Sequence, residues 1–234
     1  MTIRNWVKFA FWAMLIGGGV NAIASLFIRW DFYKPFLTSG EIGEFLAALV
    51  WMVFLGMTMS VIAQAGFFAY LTIHQVGVNL FKSLTLWNWV QVLIIIIVLV
   101  DIIVFRFIPG AESTQDWLIY GSLLVVLVGS AVVTAMKKVK MTNKPHILIP
   151  TIFFMIVVTS LEWIIALMGR TENIDTYVSL LLFPLLAVNA YQILMLPKYN
   201  MQSEIDRKKL EERRKARQVA SKKTKDKSEA NVVH

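Results

Sequence analysis

Gln64-Ala65-Gly66-Phe67-Phe68-Ala69-Tyr70-Leu71-Thr72-Ile73-His74-Gln75-Val76-Gly77-Val78-Asn79-Leu80-Phe81 continues an apolar segment that begins near residue 43, and it passes into polar residues without a charge or a proline. About 20 apolar residues as helix cross the roughly 30 Å hydrocarbon layer of a bilayer. The segment therefore reads as a membrane helix whose inner end lies in this stretch. It is longer than a span requires, so it must tilt, kink at Gly56 or Gly66, or lie partly in the interface. The last option is expected after Tyr70, where His74, Gln75 and Asn79 sit among Val76, Gly77, Val78, Leu80 and Phe81. Phe67, Phe68 and Tyr70 then anchor the helix at headgroup level.

Working outward, five more apolar runs are long enough to span, at about 7–28, 86–107, 117–136, 147–168 and 177–196. With 57% apolar and 16% charged residues and a mean hydropathy of +0.64, the chain is too apolar for a soluble domain of its 234 residues. The expected fold is all-α, a polytopic integral membrane bundle of six transmembrane helices over residues 1–197. A charged cytoplasmic tail follows over 198–234.

The basic residues orient the bundle. Arg4, Lys8, Lys82, Lys137, Lys138, Lys140, Lys144 and twelve residues from Lys198 onward fall on one side, nineteen of the 23. Arg29, Lys34, Arg106 and Arg170 fall on the other. The positive-inside rule places both termini in the cytoplasm of a multi-pass cell-membrane protein. The outer connections carry Asp31, Glu41, Glu112, Asp116, Glu172 and Asp175. The Lys137–His146 loop is assigned a topological role. Arg4, Lys8, the first apolar run and Ala22-Ile23-Ala24 also resemble a cleavable signal peptide, but the run continues through Ile28, which favours a retained anchor. Gly17-Gly18-Gly19 suits close approach of a neighbouring helix.

From Ser203 to Arg217 helix-forming residues and the i, i+4 pairs Glu204→Lys208 and Glu211→Lys215 predict a short solvated helix. Disorder is expected from about Ser221 to His234. Twelve basic against six acidic residues beyond Pro197 give an excess that, tethered beside a bilayer, fits anionic lipid rather than nucleic acid.

Asp101 and Glu162 are the two acids inside spans, and such groups cost at least a few kcal/mol near the bilayer centre. Both lie about six residues before the outer ends of outward-running spans, or roughly 9 Å. Asn21 lies at nearly the same depth. The three are expected to form an intramembrane polar layer facing the bundle interior, read either as a ligand or proton site or as hydrogen bonding that fixes helix rotation. Asn189, Tyr191 and Gln192 lie near the inner end of the last span. The chain has no cysteine, and its three histidines are scattered, so no metal site, cofactor or catalytic constellation is expected.

The stretch Gln64–His74, then Gly77–Phe81, together with Arg4-Asn5-Trp6, six spans and the length, resembles the KbaA family, the KinB-signalling pathway activation proteins of spore-forming Gram-positive bacteria. The resemblance covers residues 1–200. It implies an integral membrane protein acting positively in the KinB branch of the sporulation phosphorelay, without enzymatic activity or catalytic residues to transfer. The leading expectation is a non-enzymatic regulator that activates a membrane sensor histidine kinase, with Gln64, Phe67, Tyr70, His74, Gln75 and Asn79 forming the contact. A small transporter or channel is the alternative, and an intramembrane enzyme using Asp101 and Glu162 stands behind it.

Overall fold

The computed structural model describes residues 1–168 and 174–230, with the side chains of 174, 175 and 219–230 left aside. Arg170, Glu172 and residues 231–234 lie outside the described residues. The described chain is helical: α1 (Ile3–Ile28), α2 (Trp30–Thr38), α3 (Ile42–Phe81), α4 (Leu84–Asp101), α5 (Ile108–Gly110), α6 (Thr114–Thr142), α7 (Leu148–Phe153), α8 (Thr159–Met168) and α9 (Ile174–Ala230). Two π-helical segments, Ile102–Phe107 and Phe154–Val158, join α4 to α5 and α7 to α8. Among the described residues six helices are long and apolar enough to cross a membrane: Ile3–Ile28, Ile42–Phe81, Leu84–Gly110, Thr114–Thr142, Pro145–Met168 and Thr176–Gln218. The six spans expected from the sequence are thus present, and the chain is a multi-pass membrane protein.

Local chemistry sets the helix ends. Ser113 caps α6 by accepting the Asp116 amide at 3.2 Å, while the Asp116 carboxylate accepts the Ser113 amide at 2.8 Å, a reciprocal pair that satisfies two otherwise free donors. Ser83 caps α4 through the Leu86 amide. Lys82 and Asn143 close α3 and α6 in the left-handed region, with φ of 51° and 53°.

Two expectations need correction. No separate segment begins after Tyr70, because α3 continues without a break as one helix of 40 residues, about 60 Å at 1.5 Å per residue. The connection after α1 holds a further helix, α2, which folds back with Tyr33 fully buried and its hydroxyl 3.1 Å from Ser25 Oγ. Finally, α9 runs through Pro184 and Pro197 to Ala230, so residues 221–230 are helical where disorder is expected. Extending a helix that already exists avoids the unfavourable nucleation step.

The chain divides into two compact units. The larger, Ala10–Leu194, has its core in the buried faces of α7, the adjoining π-helical segment, α8 and the first half of α9, including Phe154, Met155, Leu181, Leu182 and Leu185. In it α1 crosses α3 at Gly17 and Gly56, where a Cβ on Gly17 would stand 2.8 Å from the Gly56 carbonyl. That backbone approach lets Ser60 Oγ donate to the Ala13 carbonyl at 3.1 Å and Asn21 Nδ2 to the Met52 carbonyl at 2.6 Å. The smaller unit pairs residues 1–9 with Met195 onward.

Candidate functional site

The distinctive stretch of α3 presents two different sides. Phe67 and Tyr70 point inward and are 0% and 4% exposed. The Tyr70 hydroxyl donates to the Pro150 carbonyl at 3.0 Å, and its ring lies 4.8 Å from that of Phe154. Both side chains are packed inside the bundle, so neither is free to meet lipid headgroups or a partner, which corrects both assignments. Proximity to α7 and its π-helical continuation explains this: those segments supply aromatic faces against which a tyrosine ring is worth more than in lipid.

His74 lies one turn on, half-buried, with its Nδ1 accepting from Trp87 Nε1 at 3.1 Å and lying 3.5 Å from Gln91 Nε2. An accepting Nδ1 requires the ring proton on Nε2. Lys138 of α6 is close enough to act electrostatically on the ring. Gln64 is half-buried, whereas Gln75 and Asn79 are exposed. The six residues proposed as one contact therefore split: Phe67 and Tyr70 fix the helix, His74 is braced by α4, and Gln75 with Asn79 remain outside.

The intramembrane polar layer does not form as expected. Asn21 and Glu162 are buried, at 0% and 2% exposure, but Asp101 is exposed. Glu162 belongs to a cluster on α8 and α9. Its Oε2 accepts from Asn189 Nδ2 at 2.6 Å, and the same amide donates to Thr159 Oγ1 at 2.9 Å. Its Oε1 faces Gly66, where any Cβ would collide with the carboxyl group. Glu162 Oε1, Asn189 Oδ1, Ser160 Oγ and both polar atoms of Gln192 are buried without a hydrogen-bond partner. Asn21 instead serves the α1–α3 crossing. Counting residues along a helix does not specify which way a side chain faces.

Asn189 and Gln192 are residues that the sequence reading placed near the inner end of the last span, within reach of the polar edge of the Gln64–Phe81 stretch. Asn189 reaches Glu162 instead, and the sequence signal for that is the glycine at position 66: the carboxyl group lies against α3 where α3 lacks a side chain.

The smaller unit holds the charged end of α9 against the first residues of α1. Asn5 Nδ2 donates to Ser203 Oγ at 3.0 Å and to Asp206 Oδ2 at 2.9 Å, and Arg4 closes a 2.9 Å ion pair with Asp206. Ser203 is 2% exposed, so this part of the helix is not solvated on all sides. A cavity of about 440 Å³ beside the pair is lined by Arg4, Arg207, Lys209 and Arg213.

Comparison with known proteins gives a consistent picture. The family model described as KbaA, KinB-signalling pathway activation in sporulation, matches residues 17–199. A protein of Bacillus subtilis (strain 168) named KinB-signaling pathway activation protein is 36% identical over 199 residues, covering 85% of this chain and 98% of that protein. No solved structure matches. The residues after 199, including the Asp206 cavity, lie outside the family match.

Proposed function

The chain belongs to the KbaA family, and from that premise we propose that it is a non-enzymatic regulator raising the output of a membrane sensor histidine kinase in the KinB branch of sporulation signalling. It resides in the cell membrane with both termini in the cytoplasm, in keeping with the clustering of Lys and Arg on one side.

The observation that supports this reading is the split of the α3 stretch into a fixed side and an exposed side. A helix of about 60 Å exceeds the 40–45 Å of a bilayer with its headgroups, so its C-terminal turns reach the inner surface. Tyr70 on Pro150 and His74 on Trp87 hold those turns in one rotation. Gln75 and Asn79, one turn apart, are thereby presented as a rigid polar strip. A regulator without chemistry acts only through unequal affinity for two states of its target, and a pre-organised strip loses little entropy on binding. Anionic lipid is the second partner, met by the four cations of the Asp206 cavity.

Pathway output measured beside membrane abundance tests this reading. Gln75→Ala with Asn79→Ala is expected to reduce output several-fold at unchanged abundance, while truncation after Gln202 reduces it less. Normal signalling by the double variant, with loss on truncation, would move the contact to the charged end of α9.

A further inference from the structure

Asp101, exposed and expelled from the expected polar layer, still has a neighbour of opposite charge. Arg106 follows it by five residues, a separation that in an α-helix turns two side chains about 140° apart. Here residues 102–107 are π-helical, and the wider i→i+5 turn of that helix brings position 106 round towards the face of position 101. Both residues line one cavity of about 250 Å³, together with Phe105, Trp163, Ile164 and Leu167. The two charges do not close on each other: among the described residues the ion pair within 4.0 Å is Arg4–Asp206. Arg106 Nη2 is buried and has no hydrogen-bond partner.

The geometry points to a binding site for a small zwitterionic amphiphile. An anionic oxygen of the ligand satisfies the free N–H of Arg106, its ammonium pairs with Asp101, and an apolar portion lies on Trp163 and Phe105. Three features favour such a ligand over a simple ion. A separated carboxylate and guanidinium are jointly neutral, so a net-neutral ligand leaves no excess charge in a medium where charge is costly. The remaining lining is apolar and aromatic, as in sites that bury the body of a ligand and orient it by a few polar groups. A short π-helical turn inside an α-helix is frequently found at functional sites, and here it is what places both charges on one face.

Two sources offer this chemistry: the headgroup of an aminophospholipid and a free apolar amino acid. The test uses the purified full chain in dodecyl maltoside micelles, a host without charged groups, with phosphatidylethanolamine, phosphatidylglycerol or L-leucine as probes. Bound lipid is counted by native mass spectrometry and leucine by equilibrium binding. Retention of phosphatidylethanolamine, or binding of leucine, is expected to fall at least tenfold in Asp101→Asn and in Arg106→Gln. Arg106→Lys, which keeps the charge but not the planar fork, recovers part of it. Monodispersity and membrane abundance confirm that the variants fold. The lipid arm and the leucine arm identify the source. Failure of the folded wild type to bind either probe overturns the proposal, as does binding indifferent to both substitutions. Equal retention of phosphatidylglycerol, which has no ammonium, overturns the zwitterionic assignment. This site is independent of the α3 strip, so its loss leaves the regulatory reading intact.

Discussion

Glu162 and Asp101 are acids at the same counted depth in two parallel-running spans, yet one is sealed between helices and the other faces outward. Glu162 sits opposite a glycine and within reach of Asn189 and Thr159. Asp101 sits on the outer side of α4, at the start of a π-helical turn. The contrast teaches that a polar residue in a membrane helix is accommodated by what its neighbours omit as much as by what they offer. Position 66 omits a side chain, and nothing comparable faces Asp101.

The sharpest way to break this comparison is a double-mutant cycle at the Gly66–Glu162 contact. Gly66→Ala pushes a methyl group into the carboxyl, and overpacking of this kind costs about 1–3 kcal/mol. In a Glu162→Ala background the obstructing atoms are gone, so the penalty is expected to drop to less than half, as for residues in direct contact. Unfolding of the four proteins in bicelles measures it; equal penalties in both backgrounds would mean that Gly66 does not accommodate the acid.

A smaller effect is expected from Asn189→Leu. It strips Glu162 Oε2 and Thr159 Oγ1 of their shared donor in a buried site. Interhelical hydrogen bonds in membranes average about 0.6 kcal/mol and model peptides give about 1–2, so a loss of about 1–2 kcal/mol is expected for two bonds. Stability equal to wild type would show that Asn189 does not hold the carboxyl in place.

The six spans could be read from sequence because crossing hydrocarbon imposes a length and a composition that are visible in any single segment. Rotation could not be read in the same way. The helix α3 is apolar on nearly all sides, so no stripe distinguishes the inward Phe67 and Tyr70 from the outward Phe68 and Ile73. The π-helical turns were hidden because no residue type announces them, and the one after Asp101 alters which residues share a face. The pairing of Asn5 with Ser203 and Asp206 was hidden for a different reason, namely that a polar residue before a span looks like any other headgroup residue until its partner is known. What the sequence did disclose was the family: the resemblance drawn on Gln64–Phe81 agrees with the family match across residues 17–199.

Tyr70→Phe extends the comparison along the buried side of α3. The hydroxyl bond to Pro150 is lost while the ring stays in its aromatic setting, so the cost is about 0.6 kcal/mol and membrane insertion is unchanged. An unfolding shift of several kcal/mol would show that the hydroxyl holds more than one carbonyl.

The smallest effect on folding is expected at the other acid. Asp101→Asn keeps the shape of the side chain and removes its charge from an exposed position with no hydrogen bond or ion pair recorded for it among the described residues. Unfolding in dodecyl maltoside micelles, which hold no zwitterionic amphiphile, should coincide with wild type. Glu162→Gln provides the reference, because there the substituted oxygen lies beside Asn189 Nδ2 and an amide group in its place can oppose one donor with another. That variant should lose stability unless its amide turns its own oxygen towards Asn189, and the turn would direct an NH2 group at Gly66, where space is least. If Asp101→Asn destabilised as much as Glu162→Gln, Asp101 would have to be packed in the interior after all, and the distinction between the two acids would fail.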